Sequence, residues 1–386
     1  MKKWTIGVDL GGTEIKFGLF DDQLEKHWAI PTNWEDLGTH ILKDIAQTIK
    51  MCCDEYGITK DTLKGVGIGV PGPVLESNIV KHCVNLGWPR MTVGTELAKL
   101  LADMFGCEPE EVKVLVENDA NVAALGELWL GGGKDYNSMV MATLGTGVGG
   151  GIILNGKIFS GAAGGAGEIG HIICVDEAVV VGRCNCGHKG CLEQIASATG
   201  IVNYAKRYLE HAPEVSILAN RLRDVGDITA KDVLDAAKEG DRAAVRITDK
   251  VFMYLGKALA GICNVINPEC VLIGGGVSAA GEYLRAGVEQ YFKVFAFAGI
   301  EDTPIRLATI GNQAGIAGAA YMIISDKLRG YFMTLAKELT YVMEQGLVFE
   351  NEPMRSHTTF RIGGPADFLA CPETEEVFIA GLKWCK

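Results

Sequence analysis

The sequence predicts an α/β protein with mixed sheets and helices on their faces. Three observations lead there: short apolar runs that end in glycine turns, one strand, turn, strand plan that occurs twice, and a long helical stretch between the later runs. A chain of 386 residues has the length of two or three domains and the volume for real cores.

From Trp4 to Phe20, two apolar strands flank Asp9-Leu10-Gly11-Gly12-Thr13, a hairpin pattern whose turn is built of glycine. Gly65 to Val70 reads as a buried strand stopped by Pro71-Gly72-Pro73. Lys113 to Val116 reads as another, running into Glu117-Asn118-Asp119 and an alanine-rich helix from Ala120 to Glu127. Met139 to Thr143 and Gly150 to Leu154 flank Gly145-Thr146-Gly147-Val148-Gly149, and this second hairpin points to a duplicated domain. Ser197 to Asn267 is helical in pattern: Thr229-Ala230-Lys231-Asp232 predicts a capping box, and Val251 to Ile266, apolar all round, predicts a helix buried between layers. Cys270 to Ile273 returns to strand and ends at Gly274-Gly275-Gly276.

Composition narrows the function. A net charge of −12 gives no general attraction toward nucleic acid or anionic lipid, so any phosphate site must be built locally. The basic start at Met1 is not expected to be an export signal, because Asp9 and the Gly11-Gly12 pair interrupt the apolar run. No stretch approaches the roughly twenty apolar residues that span a bilayer. Twelve cysteines without an export signal read as reduced thiols plus a metal site, in a cytoplasmic setting.

The three glycine turns each follow a strand directly. Backbone N–H groups in such turns can face phosphate oxygens, and Asp9 at a strand end can hold a hydrated magnesium ion, so the turns together predict a cleft that wraps a triphosphate. Asp119 has two readings, a helix N-cap or a general base that takes a proton from an alcohol; beside phosphate loops the base is favoured. Cys184, Cys186 and Cys191 place three thiols within eight residues, with Gly187 and Gly190 allowing a tight knuckle. That suits a tetrahedral zinc ion lacking one ligand, for which His171 and His188 are the near candidates; a closed four-ligand site would be structural.

The combination of Asp9-Leu10-Gly11-Gly12-Thr13, Val70-Pro71-Gly72-Pro73, Glu117-Asn118-Asp119-Ala120-Asn121, Leu144 to Gly151, Ala166-Gly167-Glu168-Ile169-Gly170-His171, the Cys184 to Glu193 knuckle and Gly274-Gly275-Gly276-Val277-Ser278 resembles the repressor, open-reading-frame and kinase (ROK) family of sugar kinases, over residues 3 to 325. The resemblance implies the two-lobed actin and hexokinase-like (ribonuclease H-like) ATPase fold with a structural zinc knuckle. The small lobe would be 1–116 plus a returning helix at 312–326, and the large lobe 117–311. It implies ATP and magnesium at Asp9, Gly11, Gly12, Thr13, Lys16, Gly145, Thr146, Gly147, Gly274, Gly275 and Gly276. Gly72, Asn118, Asp119, Glu168, His171 and Glu193 would read the sugar, with Asp119 as base toward its 6-hydroxyl. His171 becomes the fourth zinc ligand beside Cys184, Cys186 and Cys191, and His188 a solvent-facing loop residue.

Asn85-Leu86-Gly87-Trp88 with Cys191-Leu192-Glu193 and Ala196 to Gly200 looks most like bacterial glucokinases, so the expected reaction is ATP-dependent phosphorylation of glucose by a homodimer. Kinases for N-acetylmannosamine or fructose share most of the motifs. A sugar-binding regulator without catalysis is the other alternative, against which Asp9 and Asp119 stand; a first strand at residue 4 leaves no room for the DNA-binding helices of the family's repressors. The resemblance fades after Tyr321. Asn351 to Asp367 resembles instead the start of UDP-N-acetylenolpyruvoylglucosamine reductase, a flavoenzyme, without that family's later FAD loop, so 327–386 is expected to be a partial, non-functional fragment. Leu328, Phe332, Leu335, Leu339 and Val342 have the spacing of an amphipathic helix.

Overall fold

The computed structural model describes residues 2–81, 83, 86–88, 90–211, 216–326, 347–353 and 365–371. It divides into two compact units, Met1–Ile323 and Ile324–Lys386.

In the first unit β1 (Trp4–Leu10), β2 (Glu14–Asp21) and β3 (Gln23–Pro31) form an antiparallel meander. Helix α1 (Ile41–Tyr56) leads to β4 (Leu63–Val70), which pairs in parallel with β1. Strands β5 (Val74–Leu75), β6 (Ile79–Val80) and β7 (Met91–Thr92) make a small sheet of their own. Helix α2 (Val93–Phe105) then precedes β8 (Val114–Asn118), parallel to β4, which completes the order β3-β2-β1-β4-β8.

After helix α3 (Asp119–Leu130) the plan repeats. Strands β9 (Met139–Leu144), β10 (Val148–Leu154) and β11 (Lys157–Ile158) form a second antiparallel meander. Helices α4 (Glu193–Ala196), α5 (Ala198–His211), α6 (Ile217–Val225), α7 (Ala230–Lys238) and α8 (Arg242–Ile266) follow. Strand β12 (Cys270–Gly274) pairs in parallel with β9, and after helix α9 (Glu282–Phe295), β13 (Ile305–Leu307) pairs in parallel with β12. The order β11-β10-β9-β12-β13 reproduces that of the first sheet strand for strand. The duplication expected from the two hairpins therefore extends to whole sheets. Helix α10, residues 314–326, begins as the last element of this unit, which ends at Ile323.

Strands β1, β4 and β12 are buried nearly throughout, as central strands covered on both faces must be, while edge strand β3 exposes every second residue. One core gathers Ile6, Val8 and Ile68 with Ile45 and Leu97; another gathers Val140, Val271 and Ile273 with Leu255 and Val288. A third, with Val122, Leu125, Met141, Leu272 and Ala319, joins α3 and α10 to the second sheet.

Several expectations shift. Strand β8 extends to Asn118 because Glu117 and Asn118 still pair with Gly69 and Val70, so the expected lobe division at 116/117 falls within a strand. The returning helix starts at residue 314, after a tight turn at Gly311–Gln313. Helix α8 is not buried all round: Lys257, Gly261, Asn264 and Val265 form an exposed stripe at helical spacing. Thr229 and Asp232 make the predicted capping box of α7.

Helix α10 sits on bare backbone. Gly7 and Gly67 are register partners on β1 and β4; a Cβ on either would collide with the α10 carbonyls of Ile316 and Ala319. On another side Gly126 of α3 faces Ala314 and Gly318 at equally short range. In the second unit β14 (Leu347–Pro353) and β15 (Pro365–Cys371) pair antiparallel. The helical spacing from Leu328 to Val342, the middle of the reductase-like segment and Asn85 lie outside the described residues. Among the described residues no helix is long and apolar enough to cross a membrane.

Because the Ala319 carbonyl leaves no room for a methyl group, Gly67→Ala is expected to lower stability by about 2–3 kcal/mol. A lower urea midpoint at unchanged m-value would show this; an unchanged midpoint would mean that α10 can move away at little cost.

Candidate active site

The acidic segment with its two readings, cap and base, sits at the strand-to-helix corner from β8 to α3. Asn118 is the cap: its side-chain oxygen accepts the N–H groups of Ala120 at 3.0 Å and Asn121 at 3.2 Å. Its amide donates to the Gly72 carbonyl at 3.2 Å, which ties the corner to the turn after β4. Asp119 follows as the first helical residue, and its carboxylate shares the same Ala120 N–H at 2.9 Å. Loss of water pushes the Asp119 carboxyl up to about 6; the Ala120 N–H opposes this, and the charges of Asp9 and Glu168 add to it. Asp9, one residue before the end of β1, is also pushed up by burial, with Lys16 opposing and Glu14 adding. Lys16 is its register partner on β2. Asp119 thus senses the charge of Asp9, and burial pushes both carboxyl groups toward their protonated forms.

The first glycine turn is held by its neighbours. The Thr32 hydroxyl donates to the Gly11 carbonyl and the Trp34 indole N–H to that of Gly12, both at 2.8 Å, while Thr32 N–H donates to the Thr13 carbonyl at 3.0 Å. The other two turns lie against each other: Gly275, at φ +81, has no space for a Cβ because the Leu144 backbone fills it. Beside them opens a cavity of about 460 Å³ lined by Gly145, Thr146 and Gly276 with Thr229, Lys231 and Leu234. Gly147, Gly274 and Gly275 belong to the turns without lining it, and Gly11, Gly12 and Thr13 belong to the other sheet.

In the knuckle the ligand atoms of His171, Cys184, Cys186 and Cys191 all lie within 4.8 Å of one another. The Cys184 sulfur is 3.5 Å from His171 Nδ1, and those of Cys186 and Cys191 are 3.5 Å apart. Burial pushes the Cys184 and Cys191 thiols up, the latter to about 12, whereas hydrogen bonds from His188 hold Cys186 down at about 6. His188 is exposed and outside the four-residue group. His171 Nε2 is turned toward Glu168, 3.8 Å away. Glu193 links the knuckle to the second turn, since one carboxylate oxygen accepts the Val148 N–H at 3.0 Å and the other the Cys184 thiol at 3.6 Å.

Residues 5–326 match the model of the ROK family. The chain belongs to the ROK family. A glucokinase from Halalkalibacterium halodurans is 40% identical over 325 residues, covering 83% of this chain and 95% of the relative. One from Thermotoga maritima is 37% identical, covering 84% and 98%. Among solved structures, a ROK family glucokinase from Streptomyces griseus in complex with glucose and AMPPNP superposes with a TM-score of 0.63 at 32% identity, over 83% of this chain and 98% of that one. The fold is thus the mixed α/β, hexokinase-like fold of ROK proteins.

In this ROK protein several site residues escaped sequence reasoning. Glu117 is buried; one of its oxygens accepts from Asn118 N–H at 2.8 Å and the Asn121 amide at 3.1 Å, the other from the Ser160 hydroxyl at 3.0 Å. Ser160 opens the loop that carries Glu168 and His171, so Glu117 fastens that loop to the Asp119 corner. An acidic residue within an otherwise apolar strand was the available signal, but its partner Ser160 is 43 positions away. Thr229 and Lys231 read as parts of a helix cap, yet both also line the cavity.

Proposed function

We propose that this ROK protein transfers the γ-phosphoryl group of ATP to the 6-hydroxyl of glucose, with Asp119 as general base. The observation that carries the reading is the state of Asp119: a carboxyl pushed to about 6, beside Asp9, at a corner whose capping is done by Asn118. A base works best with a pKa near the operating pH, where it is ionised yet still draws a proton. The two glucokinase relatives support glucose and ATP as the substrates over the N-acetylmannosamine, fructose and regulator alternatives.

In this reading Gly72, Asn118, Glu168, His171 and Glu193 hold the sugar. Asp9, Lys16 and the turns at Gly11, Gly12, Thr13, Gly145, Thr146, Gly147, Gly274, Gly275 and Gly276 face the nucleotide. Magnesium, when bound, would neutralise phosphate charge. Closure of lobes 1–116 with 312–326 against 117–311 would exclude water that competes as acceptor. Homodimerisation and a cytoplasmic setting belong to the same proposal and rest on the family resemblance and on cysteine usage. Residues 327–386 have no part in it.

Zinc belongs to the knuckle in this reading. Four donors drawn within 4.8 Å of one another fit a tetrahedral ion with bonds of about 2.0–2.3 Å, and three thiols with one imidazole are a zinc donor set. With four protein ligands the site is closed, so its task is to hold the loop bearing Glu168 and His171. His171 would meet the metal through Nδ1 and a substrate hydroxyl through Nε2.

Asp119→Asn keeps the shape and loses the base. Its kcat should fall by about 10²–10⁴ while glucose binding stays measurable by calorimetry; a variant retaining more than about a tenth of the rate would remove Asp119 from the role. Metal analysis should find zinc in purified protein, and Cys186→Ser should lose it together with about 10- to 100-fold in glucose affinity. A zinc-free protein of full affinity would contradict the knuckle's assignment.

A further inference from the structure

Helix α3 carries a second carboxylate to which phosphoryl transfer gives no task. Glu127 is completely buried, in the apolar run between Val122 and Leu130. Its partners are backbone N–H groups. Gly132 donates at 2.9 Å, just beyond the end of the same helix. Thr309 donates at 3.0 Å to each oxygen, and Ile310 at 2.9 Å, from positions 182 and 183 residues further along the chain.

These donors converge where a carboxylate fits and an amide does not. A carboxylate presents about four acceptor directions and no donor, so all three N–H groups can be met at once. Glutamine would turn an NH₂ group toward at least one of them, leaving a buried donor unpaired.

The segment held in this way leads to the site. Thr309 and Ile310 follow β13 and run through the turn Gly311–Gln313 into α10. The first turn of α10 lies on Asp9: a Cβ on Gly315 would come within 2.5 Å of the Asp9 carboxyl carbon. The carboxyl of Asp9 therefore has the start of α10 as its wall, and the start of α10 has Glu127 as its anchor.

We propose that Glu127 is a positioning residue for the phosphoryl-transfer site, fixing the turn at 309–313 and through it the carboxyl of Asp9. The proposal rests on the reading of Asp9 as the carboxylate that faces magnesium. Asn118, Glu168, His171 and Glu193 are held by other contacts, so the sugar side should be insensitive to Glu127.

The test is calorimetric binding of a non-hydrolysable ATP analogue with and without magnesium, and of glucose, to wild type, Glu127→Gln and Asp9→Asn, with kcat/KM for magnesium-ATP measured alongside. In Glu127→Gln the gain in analogue affinity brought by magnesium should shrink by about tenfold, as in Asp9→Asn, and kcat/KM should fall in parallel, while glucose affinity stays within about twofold. A merely structural role would lower the melting temperature without singling out the magnesium-linked gain. If Asp9→Asn loses that gain and Glu127→Gln keeps it, the proposal is wrong. If Asp9→Asn keeps it, the reading of Asp9 is wrong and the proposal falls with it. Should Glu127→Gln fail to fold, Gly315→Ala places a methyl group against Asp9 and leaves Glu127 intact. It should show the same loss, and a wild-type gain in a folded Gly315→Ala would overturn the proposed route.

Discussion

Helices α3 and α10 meet backbone to backbone, with Gly126 facing Ala314 and Gly318, while Gly7 and Gly67 let α10 down onto the first sheet. Side chains in a core can exchange rotamers to absorb a shift; peptide groups in direct contact cannot. The relative placement of β1, α3 and α10 is therefore set by the main chain. Their ends carry Asp9, near the end of β1, Asp119, at the start of α3, and Gly315, in the first turn of α10, which is where the proposed chemistry would take place.

Electrostatics divides the buried and half-buried acids into two kinds. Glu117 and Glu127 are each met by three N–H or hydroxyl donors within the protein. Asp9 and Asp119 are kept from water with fewer donors, and each is pushed toward its protonated form. Acids of the first kind hold loops in place, and in the proposed reading those of the second kind act on a proton and a cation. Glu193 stands between, with one oxygen accepting the Val148 N–H and the other the Cys184 thiol.

Local regularities carried most of what was legible in the sequence. Both hairpins, the strand ending at Val70, the α7 capping box and the three clustered thiols follow from short-range spacing, and the structure has them at the expected places; His171, the fourth member of the cluster, comes from the family resemblance. What stayed hidden depends on distance along the chain. Thr309 and Ile310 cannot be matched to Glu127 by any pattern, nor Ser160 to Glu117. That Asn118 caps α3 needed the position of its side chain, which residue type does not determine. The three glycine turns read as one group, whereas they lie on two sheets and only two of them border the cavity.

The most direct check on the account is the titration of Asp119 itself. Carboxyl-carbon NMR of ligand-free protein labelled at aspartate, with the Asp119 signal assigned by its absence in Asp119→Asn, reports that group alone. Burial together with the charges of Asp9 and Glu168 predicts a midpoint at about 6, so the group is largely protonated at pH 5 and ionised at pH 7. Titration with the ordinary aspartates, at about 3.9, would contradict the claim that this corner of the molecule prepares a base.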